Sequence, residues 1–423
     1  MLGIALAGCG GGSRHHRAHE AAAHSSVRTA GSAPAPSPAL SALNSALRAQ
    51  LRAAGQRSGA VVYDLTARRE LFALRATTGR PPASVEKLYT TIAVLSELGA
   101  GTRLQTTVLG TGHLTAGGVW EGDLYLRGGG DPTFGDGTFN QVWEEGYGPT
   151  ALQISAQLRR IGIRRVTGRV IGDASLFDSR PGAPNTRYAP DIPDIGGELG
   201  ALTYDHGAST RRLSPGAFAA MELVLTMRGN GIHARAARFT AAAPPGARAL
   251  ASVSSPPMSV LVRLMDVPSD DFFAEMLTKQ LGVRFAGAGS TVAGAAVIRS
   301  TIAGLGIEPA IVDGSGLSRQ DRSSPDQVVD LLRAVWPTQL GRVLRASLPV
   351  LGVNGSARGI AVHSAARGRC LVKTGTLDYV SNLAGYCHSS GGHTLAFALF
   401  VDGPNNSRAF TLIGRMVAAI ARY

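Results

Sequence analysis

Leucine recurs at Leu40, Leu43, Leu47 and Leu51, the three- and four-residue spacing that gives a helix over 39–54 one apolar face. Residues 59–65 then read as a short apolar strand ending in a turn. After Arg80-Pro81-Pro82, the stretch 83–95 is apolar enough for a buried helix that stops near Gly99, and proline just before the first turn suits its start. Between about 101 and 249 the texture changes to short strand-like runs punctuated by glycine, at 123–126, 166–173 and 221–227. Helical periodicity returns after Ser252 in Val260, Leu261 and Leu264 and in Phe273, Met276 and Leu277. A helix over 325–336, strands over 368–374, 381–386 and 394–401, and a closing helix over 407–422 complete the pattern. The flanks share a texture that the middle lacks, and no segment repeats at a fixed period. The reading is an α/β domain built from 40–100 plus 250–423, with a β-rich inserted region over 101–249.

The N-terminus reads differently. Leu6-Ala7-Gly8-Cys9 resembles a bacterial lipobox, which would make Cys9 a lipidation site and the only membrane attachment. The apolar stretch before it is about eight residues long and lacks the basic flank of a complete signal peptide, so an incidental cysteine is the other reading. Residues 10–39 are mostly Gly, Ser, Ala, Pro and His, and such a segment reads as a tether. Its His15, His16, His19 and His24 lack the paired ligands of a metal site. Elsewhere no run of about 20 apolar residues occurs, so no spanning helix is expected.

Composition narrows the function. With 44% hydrophobic and 17% charged residues in 423, most of the chain can bury a core. The formal net charge is +13, yet no dense Lys/Arg block with interleaved aromatics appears, which argues against a nucleic-acid partner and for an anionic envelope surface. Cys370 and Cys387 carry a compartment clue. If Asp378-Tyr379 is a two-residue hairpin turn, the two fall opposite one another on adjacent antiparallel strands, at a spacing compatible with a disulfide and hence with an oxidising compartment. The other reading is two reduced core thiols.

Lysine is scarce: Lys87, Lys279 and Lys373 stand against 39 arginines. Arginine stays protonated in proteins, whereas lysine can become a neutral amine base. Lys87 follows Ser84 by three residues at a helix start, so its amine can reach that hydroxyl, and the helix N-terminus favours a developing oxyanion. Lys373 opens Lys373-Thr374-Gly375 on an expected strand. Alone, Ser-x-x-Lys is a weak signal; followed by Lys-Thr-Gly it is specific. Lys279 stands four residues after Glu275, a spacing that predicts a local ion pair. No histidine pattern of a metal site is present, and no cofactor is expected.

The chain resembles the penicillin-binding D-alanyl-D-alanine carboxypeptidase/endopeptidases, class C low-molecular-mass penicillin-binding proteins of the S13 peptidase type. The resemblance spans 40–423. It rests on Pro82-Ala83-Ser84-Val85-Glu86-Lys87, Gly128-Gly129-Gly130-Asp131-Pro132-Thr133, Ser255-Pro256-Pro257, Asp313-Gly314-Ser315-Gly316-Leu317-Ser318-Arg319, Leu348-Pro349 and Lys373-Thr374-Gly375-Thr376-Leu377. It implies the penicillin-binding/serine β-lactamase-like α/β fold, an antiparallel sheet flanked by helices with a β-rich insertion. It further implies Ser84 as acylated nucleophile, Lys87 as its base, and Lys373 and Thr374 as holders of the substrate's terminal carboxylate. Gly375 would let the strand approach the ligand. The backbone N–H groups of Ser84 and Thr376 would form an oxyanion hole, each donor worth about 2.7 to 4 kcal/mol. Arg319, Leu377, Asp173 and Phe177 would grip the free end of a diaminopimelate side chain; the other readings are a loop salt bridge for Arg319 and strand-end turn residues for Asp173 and Phe177. The implied substrates are peptidoglycan stem peptides outside the cytoplasmic membrane, and β-lactams would be inhibitors. No motif sets an oligomeric state.

One position departs from the family. Its second motif, Ser-x-Asn, reads here Ser269-Asp270-Asp271. An ionised carboxylate only accepts hydrogen bonds where an amide also donates, and beside Lys87 it favours the charged amine. Two outcomes follow: catalysis retained with Ser269 and an altered Asp271, or an envelope-binding protein without turnover. A β-lactamase or esterase of the same fold is a third reading and would need an added water-activating base.

Overall fold

The computed structural model describes residues 37–210 and 212–423; Cys9 and the Gly/Ser/His-rich segment before Ser37 lie outside them. Among the described residues thirteen strands form three sheets. They are β1 (Gly59–Asp64), β2 (Arg69–Leu74), β3 (Gln105–Gly110), β4 (His113–Leu114), β5 (Val119–Glu121), β6 (Leu124–Arg127), β7 (Arg165–Val166), β8 (Val170–Asp173), β9 (Ala236–Thr240), β10 (Arg248–Ser254), β11 (Cys370–Leu377), β12 (Val380–His388) and β13 (Thr394–Asp402).

The first sheet has the order β11-β12-β13-β1-β2 and is antiparallel throughout, so β11 is an edge. Its central strands β12, β13 and β1 are buried on both faces, whereas the edge strand β2 is partly exposed. Along β13, Ala396, Ala398 and Phe400 enter one core while Leu395, Phe397, Leu399 and Val401 enter another, the period-2 alternation of a pleated strand. That double burial explains the unbroken apolar run at 395–401. Helices Pro38–Ala54 and Asn406–Arg422 cover one face. Helices Lys87–Glu97, Met258–Asp266, Asp271–Ala286, Thr291–Ala303 and Pro325–Val335 pack against the other.

The second sheet, β10-β3-β6-β8-β9, is mixed, and β4-β5-β7 forms a small third one. Residues 221–227 correct a sequence expectation: they are not a strand but the middle of helix Pro215–Gly229. Ser214 precedes it, Pro215 starts it, and Ala219, Ala220, Leu223, Val224 and Met227 bury one helical face in the core of this sheet. A seven-residue apolar run fits either period, and here the proline start and tertiary packing decide.

The β11–β12 hairpin turns at Asp378 and Tyr379, with Tyr379 in the left-handed region at φ 62°. Its register sets Cys370 opposite Cys387, and their sulfurs are bonded.

Candidate active site

The segment after Pro82 does not enter an α-helix at once. Ala83–Glu86 forms a 3-10 turn, and the α-helix runs Lys87–Glu97. In a 3-10 turn residues i and i+3 eclipse, which brings Lys87 Nζ to 3.0 Å from Ser84 Oγ. The turn is anchored from β12, where Asn382 Nδ2 donates to the carbonyls of Pro81 and Pro82 at 3.0 and 2.8 Å. It lies hard against β11. A Cβ on Gly375 would stand 2.5 Å from the Pro82 carbonyl oxygen, so only glycine admits this approach.

Lys87 is fully buried and has three partners. Besides Ser84 it donates to the Ser315 carbonyl at 2.8 Å and to Asp271 Oδ1. Asp271 opens helix Asp271–Ala286; the preceding Asp270 caps it by accepting from the Phe273 N–H at 2.8 Å. Burial pushes the Asp271 carboxyl upward, and Lys87 opposes that. Among the described residues its second oxygen makes no hydrogen bond, and Asp271 lines the cavity described below. Ser269 sits just before, in the left-handed region at φ 70°, and accepts from Lys373 Nζ at 2.6 Å. Burial, reinforced by the Lys87 charge, pushes the Lys373 amine down. Thr374 Oγ1 donates to Ser356 Oγ at 2.8 Å.

A set of buried acids backs this constellation. Glu275 Oε1 accepts from the Gly314 and Ser315 N–H groups, both at 3.0 Å, and Asp313 accepts from those of Gly316 and Ser318. These bonds shape the loop that aims the Ser315 carbonyl at Lys87. Gly316, at φ 83°, lies so close that a Cβ would be 2.0 Å from the Ala83 carbonyl oxygen. Burial pushes the carboxyls of Glu86 and Asp313 well up, Glu275 to about 7 and Asp321 to about 8. Among the described residues neither buried Glu86 oxygen has a hydrogen-bond partner, which disfavours the charged form. Asp266 accepts from Thr91 and Ser347 at 2.9 and 2.7 Å, and burial lifts it to about 6 against the pull of Lys373 and Lys87.

Ser84, Ser269, Asp271, Thr374 and Thr376 line one cavity of about 490 Å³, together with Ser356, Gly359, Ile360 and Phe410. A cleft of about 910 Å³ shares Asp271 and Thr376 with it and continues to Leu377, Arg319 and Asp194. Arg319 is exposed there, its guanidinium donating to the Asp378 carbonyl at 2.9 Å. Two residues grouped with it by resemblance lie elsewhere. Asp173 is fully buried at the end of β8, its oxygens taken by Arg127, Ser175 and the Ala243 N–H. Phe177 packs in the core and lines a different cavity beside Asp178. Lys279 also corrects an expectation: it pairs with Asp178 at 2.5 Å, while Glu275 serves the 314–315 backbone. Ser315, Ser356 and Asp266 were not singled out as site residues from the sequence. A backbone carbonyl leaves no side-chain signature, although Ser315 did fall inside a motif of the resemblance. Among the described residues no group of three His, Cys, Asp or Glu side chains is arranged to hold a metal ion.

A serine beside a buried lysine, facing a lysine-bearing edge strand across a shared cavity, is the arrangement of the serine enzymes of the penicillin-binding fold. The chain belongs to the D-Ala-D-Ala carboxypeptidase 3 (S13) family, a family of serine peptidases, whose model matches residues 40–194 and 193–423. It is 28% identical over 446 residues to the D-alanyl-D-alanine carboxypeptidase of Actinomadura sp. (strain R39), covering 87% of this chain and 82% of that one. Penicillin-binding protein 4 from Haemophilus influenzae superposes with a TM-score of 0.75 at 18% identity, over 89% of this chain and 99% of that chain. A predatory endopeptidase from Bdellovibrio bacteriovorus, solved acylated by penicillin G with its immunity protein, gives 0.54 at 16% identity, over 86% of this chain and 91% of that chain.

Proposed function

We propose that this peptidase is a D-Ala-D-Ala carboxypeptidase/endopeptidase that trims peptidoglycan stem peptides outside the cytoplasmic membrane through an acyl-enzyme, and that β-lactams trap it. The observation that carries the reading is the partner set of Lys87. A neutral amine has two N–H groups and one lone pair. With Asp271 and the Ser315 carbonyl taking the two N–H groups, the lone pair is left to face Ser84 Oγ at 3.0 Å. Ser84 then attacks the carbonyl carbon of the penultimate D-Ala while its proton passes to Lys87. The C–N bond breaks as the leaving amine takes up a proton, and water later hydrolyses the ester. Lys373 and Thr374 hold the leaving residue's carboxylate, and the N–H groups of Ser84 and Thr376 receive the oxyanion. Arg319 and Leu377 take the side chain of the third stem residue in the larger cleft.

The disulfide and the penicillin-acylated neighbour support an extracytoplasmic, β-lactam-sensitive protein. The test is the intact mass of the protein after benzylpenicillin, beside Ser84→Ala. An adduct on the wild type alone is expected; its absence from a folded wild type gives the lead to a binding protein without turnover. A second reading rests on Asp271 as a cavity-lining carboxylate beside Ser84, which would supply a base for water and favour fast ester release, as in a β-lactamase. The rate at which the adduct decays separates the two.

A further inference from the structure

Groove for the leaving peptide. Ser84 lies between two depressions. The larger cleft adjoins it at the Thr376–Leu377 end of β11. On the other side, Gly359, Ile360 and Phe410 belong both to the catalytic cavity and to a groove of about 740 Å³ between the 359–364 loop and the C-terminal helix. The groove therefore begins where the catalytic cavity ends. We propose that it is the subsite for the leaving side of a cross-linked substrate, receiving a second peptide that bears free carboxylates. This rests on the mechanism above, which places the leaving residue's carboxylate on Lys373 and Thr374.

Four observations support it. The direction fits, because Thr374 is bonded to Ser356, three residues before Gly359, so a chain leaving beyond Thr374 meets the groove. A single released D-Ala ends at Thr374 and needs no such path, whereas a leaving amine that carries a whole peptide does. The charge also fits. Arg415 and Arg422 are exposed along the groove, no acidic residue lines it, and neither arginine makes a hydrogen bond or ion pair among the described residues. Gly414 lines the groove and leaves space there; a Cβ at that position would find only Ala361, at 3.9 Å. Ile360 and Phe410 offer apolar contact to the peptide backbone and methyl groups.

The experiment compares two probes on the full chain: a linear peptide ending in D-Ala-D-Ala, and a synthetic dimer of that peptide cross-linked through the penultimate D-Ala. Arg415→Glu/Arg422→Glu is expected to lower kcat/KM for the dimer about tenfold, mostly through KM, since each exposed contact is worth up to about fivefold and reversal adds repulsion. The linear peptide and benzylpenicillin acylation should stay within about twofold. Gly414→Leu, which fills the groove without touching the charges, should reproduce the pattern and guards against a fold effect. The proposal is overturned if both probes fall together, if neither changes, or if the wild type cleaves the linear peptide and not the dimer. A concentration-dependent dimer in sedimentation that the double variant abolishes would give the groove to a second copy instead. Failure of the wild type with both penicillin and the linear peptide would be a failure of the site reading itself, and is distinguishable from all of these.

Discussion

Replacing Asp271 by asparagine tests the logic of the site directly. The change is isosteric and removes one negative charge beside Lys87, a fully buried amine, at a carboxylate whose side chain is 17% exposed. At 4 Å and an effective dielectric near 20, a pair of unit charges is worth roughly 4 kcal/mol. The amide oxygen still accepts one hydrogen bond from Lys87, worth about 1.5 to 3 kcal/mol with a charged donor. The difference, about 2 kcal/mol, favours the neutral amine that can take the Ser84 proton, and it converts to about thirtyfold in rate. Stopped-flow acylation by a chromogenic β-lactam should therefore accelerate ten- to thirtyfold, on the order set by these terms. If Asp271 also activates water, decay of the adduct slows in the same variant. An unchanged or lower acylation rate, with the circular dichroism spectrum intact, refutes the charge argument.

Two further outcomes concern stability. Cys370→Ala/Cys387→Ala opens a loop with a sequence separation of 17 and should cost about 3 kcal/mol by urea unfolding, with reduction of the wild type giving a similar loss; no change would mean the bridge does not constrain the unfolded chain. Burial pulls the His206 imidazole down, but Asp270, 3.0 Å away, outweighs it and raises His206 to about 9. A base raised in the folded state stabilises fully below its unfolded value near 6.5 and loses that contribution as pH climbs through 9. The unfolding free energy from urea titration should thus fall between pH 7 and 10, by on the order of 2 kcal/mol, and His206→Gln should flatten that window; equal slopes in both proteins would refute the assignment. The raised carboxyls of Glu275 and Asp321 act in a lower window, losing stability as pH rises from about 4 to 8, and the variant leaves that slope in place.

Much of the site was legible because chemistry that needs an ionisable amine stands out against a background of arginine. Ser84, Lys87 and Lys373 carried themselves, and the alternation of β13 was hidden only by its double burial. What escaped was whatever depends on distance along the chain. Lys279 looked local to Glu275 but reaches Asp178, about a hundred residues away. For Asp173 the sequence left a ligand role and a strand-end role both open, and only the placement of Arg127 on the neighbouring strand shows which groups its carboxylate meets. Ser315 acts through a carbonyl, which any residue possesses. The helix at Pro215–Gly229 was misread because its buried face is set by a sheet that local periodicity does not reveal.

The burial of all three lysines has a practical side as well. Folded, the chain shows solvent guanidinium groups and no lysine amine. Lysine-specific proteases and amine-coupling surfaces, too large to follow a substrate into the catalytic cavity, therefore have no lysine to attack until the structure opens. Each of these reagents reports unfolding of the core that surrounds Ser84, and surface immobilisation through lysine would select the denatured fraction.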